Sequence, residues 1–170
     1  LPKIALPAII TIIVLIILLA KSAVTIDSGH AGVVHETLKN GVDPDSPSLG
    51  PGFHFIAPWN RVIDYETRQQ EVPEKMSVLS SNGLDIKLDA SVLYTPDVPN
   101  LGRLHNQKGE DYLNRVLQPA IRSAARSVVV RYTPEQLYSS KRDAIQEEIF
   151  EETRAIVAPQ FIILKGILIR

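Results

Sequence analysis

The chain has 170 residues, 18 of them basic and 19 acidic, with a net charge of −1 and no cysteine. That balance lacks the clustered Lys and Arg of a nucleic-acid footprint, so no nucleic-acid partner is expected. The missing cysteines exclude thiol catalysis, disulfides and thiolate metal sites.

The first element is an uncharged run over residues 4–20, bracketed by Lys3 and Lys21 and made mostly of Ile, Leu and Val. As a helix it would reach roughly 26 Å at about 1.5 Å per residue, slightly short of a ~30 Å hydrocarbon core. Lys21 can snorkel, and residues 22–26 are also uncharged, which lengthens the usable apolar stretch. Pro7 lies in the first turn, where a missing N–H costs little. The expectation is a transmembrane anchor over residues 1–26, with Ile4, Ile10, Leu15 and Ala20 among its membrane-spanning positions. A helix buried in the domain and a cleaved signal peptide fit less well. The remaining chain is a poor wrapper for such a helix, and neither candidate cleavage site has a small residue at −3. One Lys flanks each end, so the positive-inside count is a tie. The chain begins with Leu1 and stops at Arg170 directly after an apolar run, and so reads as a fragment.

Residues 26–35 read as a strand around a tight turn marked by Gly29 and Gly32. Residues 40–52, rich in Pro and Gly, read as a loop leading to an aromatic stretch at Phe53, Phe55, Ile56 and Trp59. Core packing is the plain reading of Phe53 and Phe55. The second reading places all four at a membrane interface, with Trp59 the foremost contact. Residues 61–72 read as a polar strand. Leu84, Ile86, Leu88, Ala90, Val92 and Tyr94 then alternate with polar residues, which predicts a strand with one buried face. Asn82-Gly83 just before it predicts a hairpin in which both turn residues take positive φ.

The remaining residues turn helical. Leu113, Val116, Leu117, Ala120, Ile121, Ala124 and Val128 keep helical spacing, with Arg115, Arg122 and Arg126 opposite. Pro119 splits this stretch into a helix ending near Leu117 and a new one beyond it. Thr133-Pro134-Glu135-Gln136 is a capping box. A last helix carries Ile145, Ile149, Thr153 and Ile156 on one face, with Glu147, Glu148, Glu151 and Glu152 facing water, and Pro159 ends it. A strand over residues 161–169 closes the chain. The fold class is α/β (α+β), with a β-rich half over residues 27–98 and an α/β half over 99–170.

Three blocks resemble one known family. They are Ile26-Asp27-Ser28-Gly29-His30-Ala31-Gly32-Val33-Val34, then Leu49-Gly50-Pro51-Gly52-Phe53-His54-Phe55-Ile56-Ala57-Pro58-Trp59, then VLQPAIRSAARSVVVRYTPEQLYSSKRDAIQEEI over residues 116–149. Together and in this order they resemble the SPFH or Band 7 domain of prohibitins, stomatins and flotillins. The anchor and Arg131-Tyr132-Thr133 are most similar to prohibitins and their bacterial relatives. The resemblance implies a membrane scaffold that assembles with copies of itself or a paralogue into rings or cages, through this domain and a long helix that would follow Arg170. It implies lipids as partners, a membrane AAA protease as a further one, and a single-pass protein of a plasma or mitochondrial-type inner membrane. The domain would then lie outside the cytoplasm or matrix. The Arg122/Arg126 face and the Glu148/Glu151 face carry opposite charge and are candidate subunit contacts, the plainer reading being two solvated helix faces.

No site chemistry emerges. The four histidines are His30, His35, His54 and His105. His30 and His35 point to opposite faces if their stretch is a strand, which suits no metal. No nucleophile elbow or phosphate loop is present. A scaffold without catalytic residues, metal or cofactor is expected. The narrower alternative is a subunit controlling substrate access to a membrane AAA protease, and a membrane hydrolase is the least favoured class.

Overall fold

The computed structural model describes residues 5–139 and 141–170. Helix α1 (Ala5–Ser22) stands free, with its large side chains exposed on every side. Its hydroxyls are satisfied within the helix: Thr11 donates to the Pro7 carbonyl and Ser22 to the Leu18 carbonyl, each at 2.9 Å. Among the expected spanning positions, Ile10, Leu15 and Ala20 lie on this helix, and Ile4 falls outside the described residues. Among the described residues no helix is long and apolar enough to cross a membrane. The helix has 18 residues, about 27 Å at 1.5 Å each, and Lys21 lies in its last turn. The apolar stretch does not continue helically to residue 26 either. Ala23–Ile26 forms strand β1.

Strand β1 pairs antiparallel with β4 (Gly52–Phe55). Beside this ribbon, β2 (His30–Glu36) pairs with the short β3 (Gly41–Val42) and with β5 (Arg61–Glu66), in the order β3-β2-β5. Gly29 takes a positive φ of 83° in the turn between β1 and β2. Gly32, expected at a turn, lies inside β2. A Cβ there would fall 2.4 Å from Val62 and 2.7 Å from Ile26, so its bareness lets the ribbon and the sheet close on each other. The expected strand over 61–72 is broken: β5 stops at Glu66 and β6 (Gln70–Leu79) starts a new sheet.

In that sheet β6 pairs with β7 (Asp85–Pro96), and β7 pairs with β8 (Ile162–Ile169), all antiparallel. Ile86, Leu88, Ala90, Val92 and Tyr94 are buried along one face of β7, as the alternation predicts. Leu84 is instead exposed, because it belongs to the hairpin loop. That loop is wider than two residues and closes through Ser80, whose N–H donates to the Leu84 carbonyl at 2.9 Å. Only Gly83 takes positive φ in it.

Helices α3 (Gln118–Val129) and α5 (Arg142–Val157) cover the inner face of this sheet. Ala120, Ala124 and Ala125 let α3 approach closely, beside Ile121, Val128 and Val129. A π-helical turn over Leu113–Leu117 precedes α3, and Pro119 sits in its first turn, where the sequence predicts the break. The capping box forms at α4 (Pro134–Tyr138). On α5 the buried stripe is Ile145, Ile149, Thr153 and Val157, and Ile156 is exposed. The Thr153 hydroxyl, fully buried, donates to the Ile149 carbonyl at 2.7 Å.

The two halves read from the sequence share structure. Strand β8 completes the sheet begun by β6 and β7. Helix α2 (Leu101–Lys108) lies against the β2–β3 region: a Cβ on Gly102 would meet the Asp43 carbonyl at 2.9 Å, and Asn106 donates to the Val42 carbonyl at 2.7 Å. Arg103 pairs with Asp45 at 2.6 Å across the same joint.

Candidate membrane interface and charged flanks

The ribbon of β1 and β4 begins where α1 ends. The Ser22 carbonyl, one of the helix's unpaired terminal acceptors, receives the Ile56 N–H at 2.9 Å. The register sets Ala23 opposite Phe55 and Thr25 opposite Phe53. Side chains alternate across a strand, so these four share one face, while Val24, Ile26 and His54 share the other. Ile26 is buried toward β2. The opposite face is therefore open, with Phe53 59% and Phe55 70% exposed. Their rings meet edge to face at 4.9 Å. This corrects the reading of Phe53 and Phe55 as core residues. Trp59 is exposed as well, and Ile56 is half-buried. The Trp59 carbonyl accepts a hydrogen bond from the Thr37 hydroxyl at 2.5 Å, which fixes that backbone against β2. Exposed apolar side chains in one contiguous patch mark a contact surface more often than chance. Here the ribbon that bears these side chains follows α1 directly in the chain.

The charged residues expected at subunit contacts are mostly held inside the chain. Arg122 pairs at 2.5 Å with Glu74 of β6, whose side chain is only 4% exposed. A buried carboxylate of this kind requires such a partner. Glu148 accepts from the Tyr132 hydroxyl at 2.5 Å and lies 3.3 Å from Arg131. Glu151 pairs with Arg154 at 2.5 Å. Arg126 makes no ion pair among the described residues. The Glu74–Arg122 pair was missed in the sequence. Its signal was the period of two through Val72, Glu74, Met76 and Val78, which puts a carboxylate on a buried face.

A polar cluster also ties the halves together. The Tyr65 hydroxyl lies 2.6 Å from His105 Nδ1. Burial pushes the Tyr65 hydroxyl up to about 12 and raises that of Tyr112 further. Both hydroxyls stay protonated. Burial lowers the pKa of His105, against the pull of Glu110. His30 pairs with Asp64 at 2.8 Å. Among the described residues no group of three or more His, Asp or Glu side chains could hold a metal ion.

Residues 24–170 match the family model described as SPFH domain / Band 7 family. The chain is 30% identical over 132 residues to prohibitin-2, mitochondrial, of Arabidopsis thaliana, covering 77% of this chain and 45% of that protein. It is 30% identical over 126 residues to prohibitin-2 of Schizosaccharomyces pombe, covering 71% and 41%. With prohibitin 1 of Gallus gallus it shares 26% over 131 residues, covering 75% and 46%. The chain thus spans less than half the length of these relatives.

Proposed function

Since the chain belongs to the SPFH domain / Band 7 family, we propose that it is a membrane-held scaffold whose lipid-facing surface is α1 together with the open face of the β1–β4 ribbon. One observation carries this reading: α1, with its large apolar side chains exposed on every side, leads directly into the ribbon whose open face bears Phe55 and Phe53. A helix apolar on all sides has no stable place in water unless something covers it. Lipid covers it without demanding a complementary protein, because the helix satisfies its own backbone and hydroxyl groups. Phe53, Phe55, Ile56 and Trp59 then rest at the level of the headgroups, where aromatic side chains prefer to lie.

The finer form is a single-pass anchor with the domain outside the cytoplasm or matrix. It requires the bilayer to thin by a few ångströms around α1, or Lys21 to snorkel. Protease protection of the domain in sealed vesicles tests that side. The narrower reading, control of substrate access to a membrane AAA protease, rests on the resemblance alone, and a protease co-purifying at fixed ratio is what it requires.

Flotation with lipid vesicles tests the scaffold reading at its base. The protein is expected to float with vesicles and to be extracted by detergent as particles far larger than one chain. Protein that stays at the bottom of the gradient, or emerges from detergent as monomers, contradicts it.

A further inference from the structure

Resting on the scaffold reading, we infer that copies of this chain join head to tail through two oppositely charged flanks, Lys75 and Arg126 of one copy receiving Asp143 and Glu147 of the next. The sheet order β6-β7-β8 fixes the geometry. Helix α3 packs over β6 and α5 over β8, so the outer sides of the two helices lie on opposite flanks of one layer.

On the β6 flank a groove of about 240 Å³ is lined by Lys75, Met76, Ser77, Val78, Arg122 and Arg126. No carboxylate lines it. Arg122 is committed to the buried Glu74 beneath. Lys75 and Arg126, both exposed, make no ion pair among the described residues.

On the α5 flank the neighbours fix which residues point out. Gln146 accepts the Ile169 N–H and so faces β8. Glu148 and Glu152 reach Arg131, just beyond α3. Asp143 and Glu147 face away from both and are exposed, again with no ion pair among the described residues. They are four residues apart, about 6 Å along the helix.

The two flanks differ in composition and match in charge, so their contact is heterologous. Such a contact repeats from copy to copy and closes into a ring or continues as a filament. Exposed pairs are individually weak and screened within a Debye length of about 8 Å at physiological salt. Confinement to a membrane raises the local concentration enough for several weak pairs to act together.

The test uses the full chain in vesicles, with assembly read by cross-linking and by particle size after detergent extraction. Arg126→Glu and Glu147→Lys are each expected to lower the assembled fraction about tenfold, since each turns an attraction into a repulsion. Combining the two is expected to restore it, and raised salt to weaken the unaltered protein. Both positions are exposed, and thermal unfolding checks that each variant is folded. The absence of cysteine allows a second readout. Arg126→Cys mixed with Glu147→Cys is expected to give a disulfide-linked dimer of the two variants on mild oxidation, and neither variant alone to do so. Unchanged assembly in both reversals, no restoration in the combination, or no mixed dimer overturns the inference while leaving the scaffold reading in place. An unaltered protein that never assembles overturns both.

Discussion

Helices α1 and α5 have nearly the same length, 18 and 16 residues, and both are rich in isoleucine, yet they treat it oppositely. Ile10 of α1 is 54% exposed, whereas Ile149 of α5 is 1% exposed. The difference lies in what surrounds each isoleucine in sequence. On α5, apolar residues recur at three- and four-residue spacing against a face of Glu and Arg, so the helix has one side for the sheet and one for water. On α1 no such polar face exists, and among the described residues no sheet or helix covers it. An identical side chain therefore stabilises the fold in one helix and is left uncovered in the other.

That contrast can be broken at several points. The largest effect is expected from Ile10→Asp combined with Leu15→Asp. An aspartate in mid-bilayer costs about 3 kcal/mol. Vesicle binding should fall by at least about 100-fold, with the unfolding temperature of the domain unchanged. Ile149→Ala should do the reverse, costing about 2–5 kcal/mol of stability in thermal unfolding and leaving vesicle binding of the folded protein intact. Phe53→Ser with Phe55→Ser sharpens the comparison at the ribbon. Both rings are mostly exposed, so stability should move by no more than about 0.5 kcal/mol, while vesicle binding weakens measurably.

The smallest effect concerns pH and falls on the joint between the halves. Burial depresses the pKa of His105 in the folded protein below its ordinary 6.5. The unfolded chain therefore takes up the proton first as pH falls. Stability from this residue is complete above pH 6.5 and declines below it. In His105→Gln, the slope of stability against pH below 6.5 should be shallower than in the unaltered protein, as read from denaturant unfolding at a series of pH values.

Much of the chain beyond residue 84 was legible because its rules are local. The alternation from Ile86 to Tyr94, the break at Pro119 and the capping box at Thr133 each depend on a few neighbouring residues. What escaped depends on distant partners. Gly32 reads as a turn residue until Val62 and Ile26 are seen pressing on it. Phe53 and Phe55 read as core residues until pairing with Thr25 and Ala23 turns them outward. Arg122 reads as a solvated arginine until Glu74, 48 residues away, is found beneath it. The strand at residues 23–26 is hidden for the same reason: its partner lies on the far side of a long loop. The surface proposed to meet lipid was half legible. The apolar run of α1 declares itself, and the aromatic ribbon joins it only through a register that no local pattern encodes.

Trp59 is the single tryptophan of the chain and follows the ribbon directly, so its emission reports on the surface proposed to meet lipid. With the protein bound to vesicles containing brominated lipids, the expected result is strong quenching of Trp59 by bromines placed near the headgroups and weaker quenching by bromines deep in the chains. Trp59 emission that is indifferent to bromine at every depth, in protein shown by flotation to be bound, contradicts a membrane surface that extends from α1 into the ribbon.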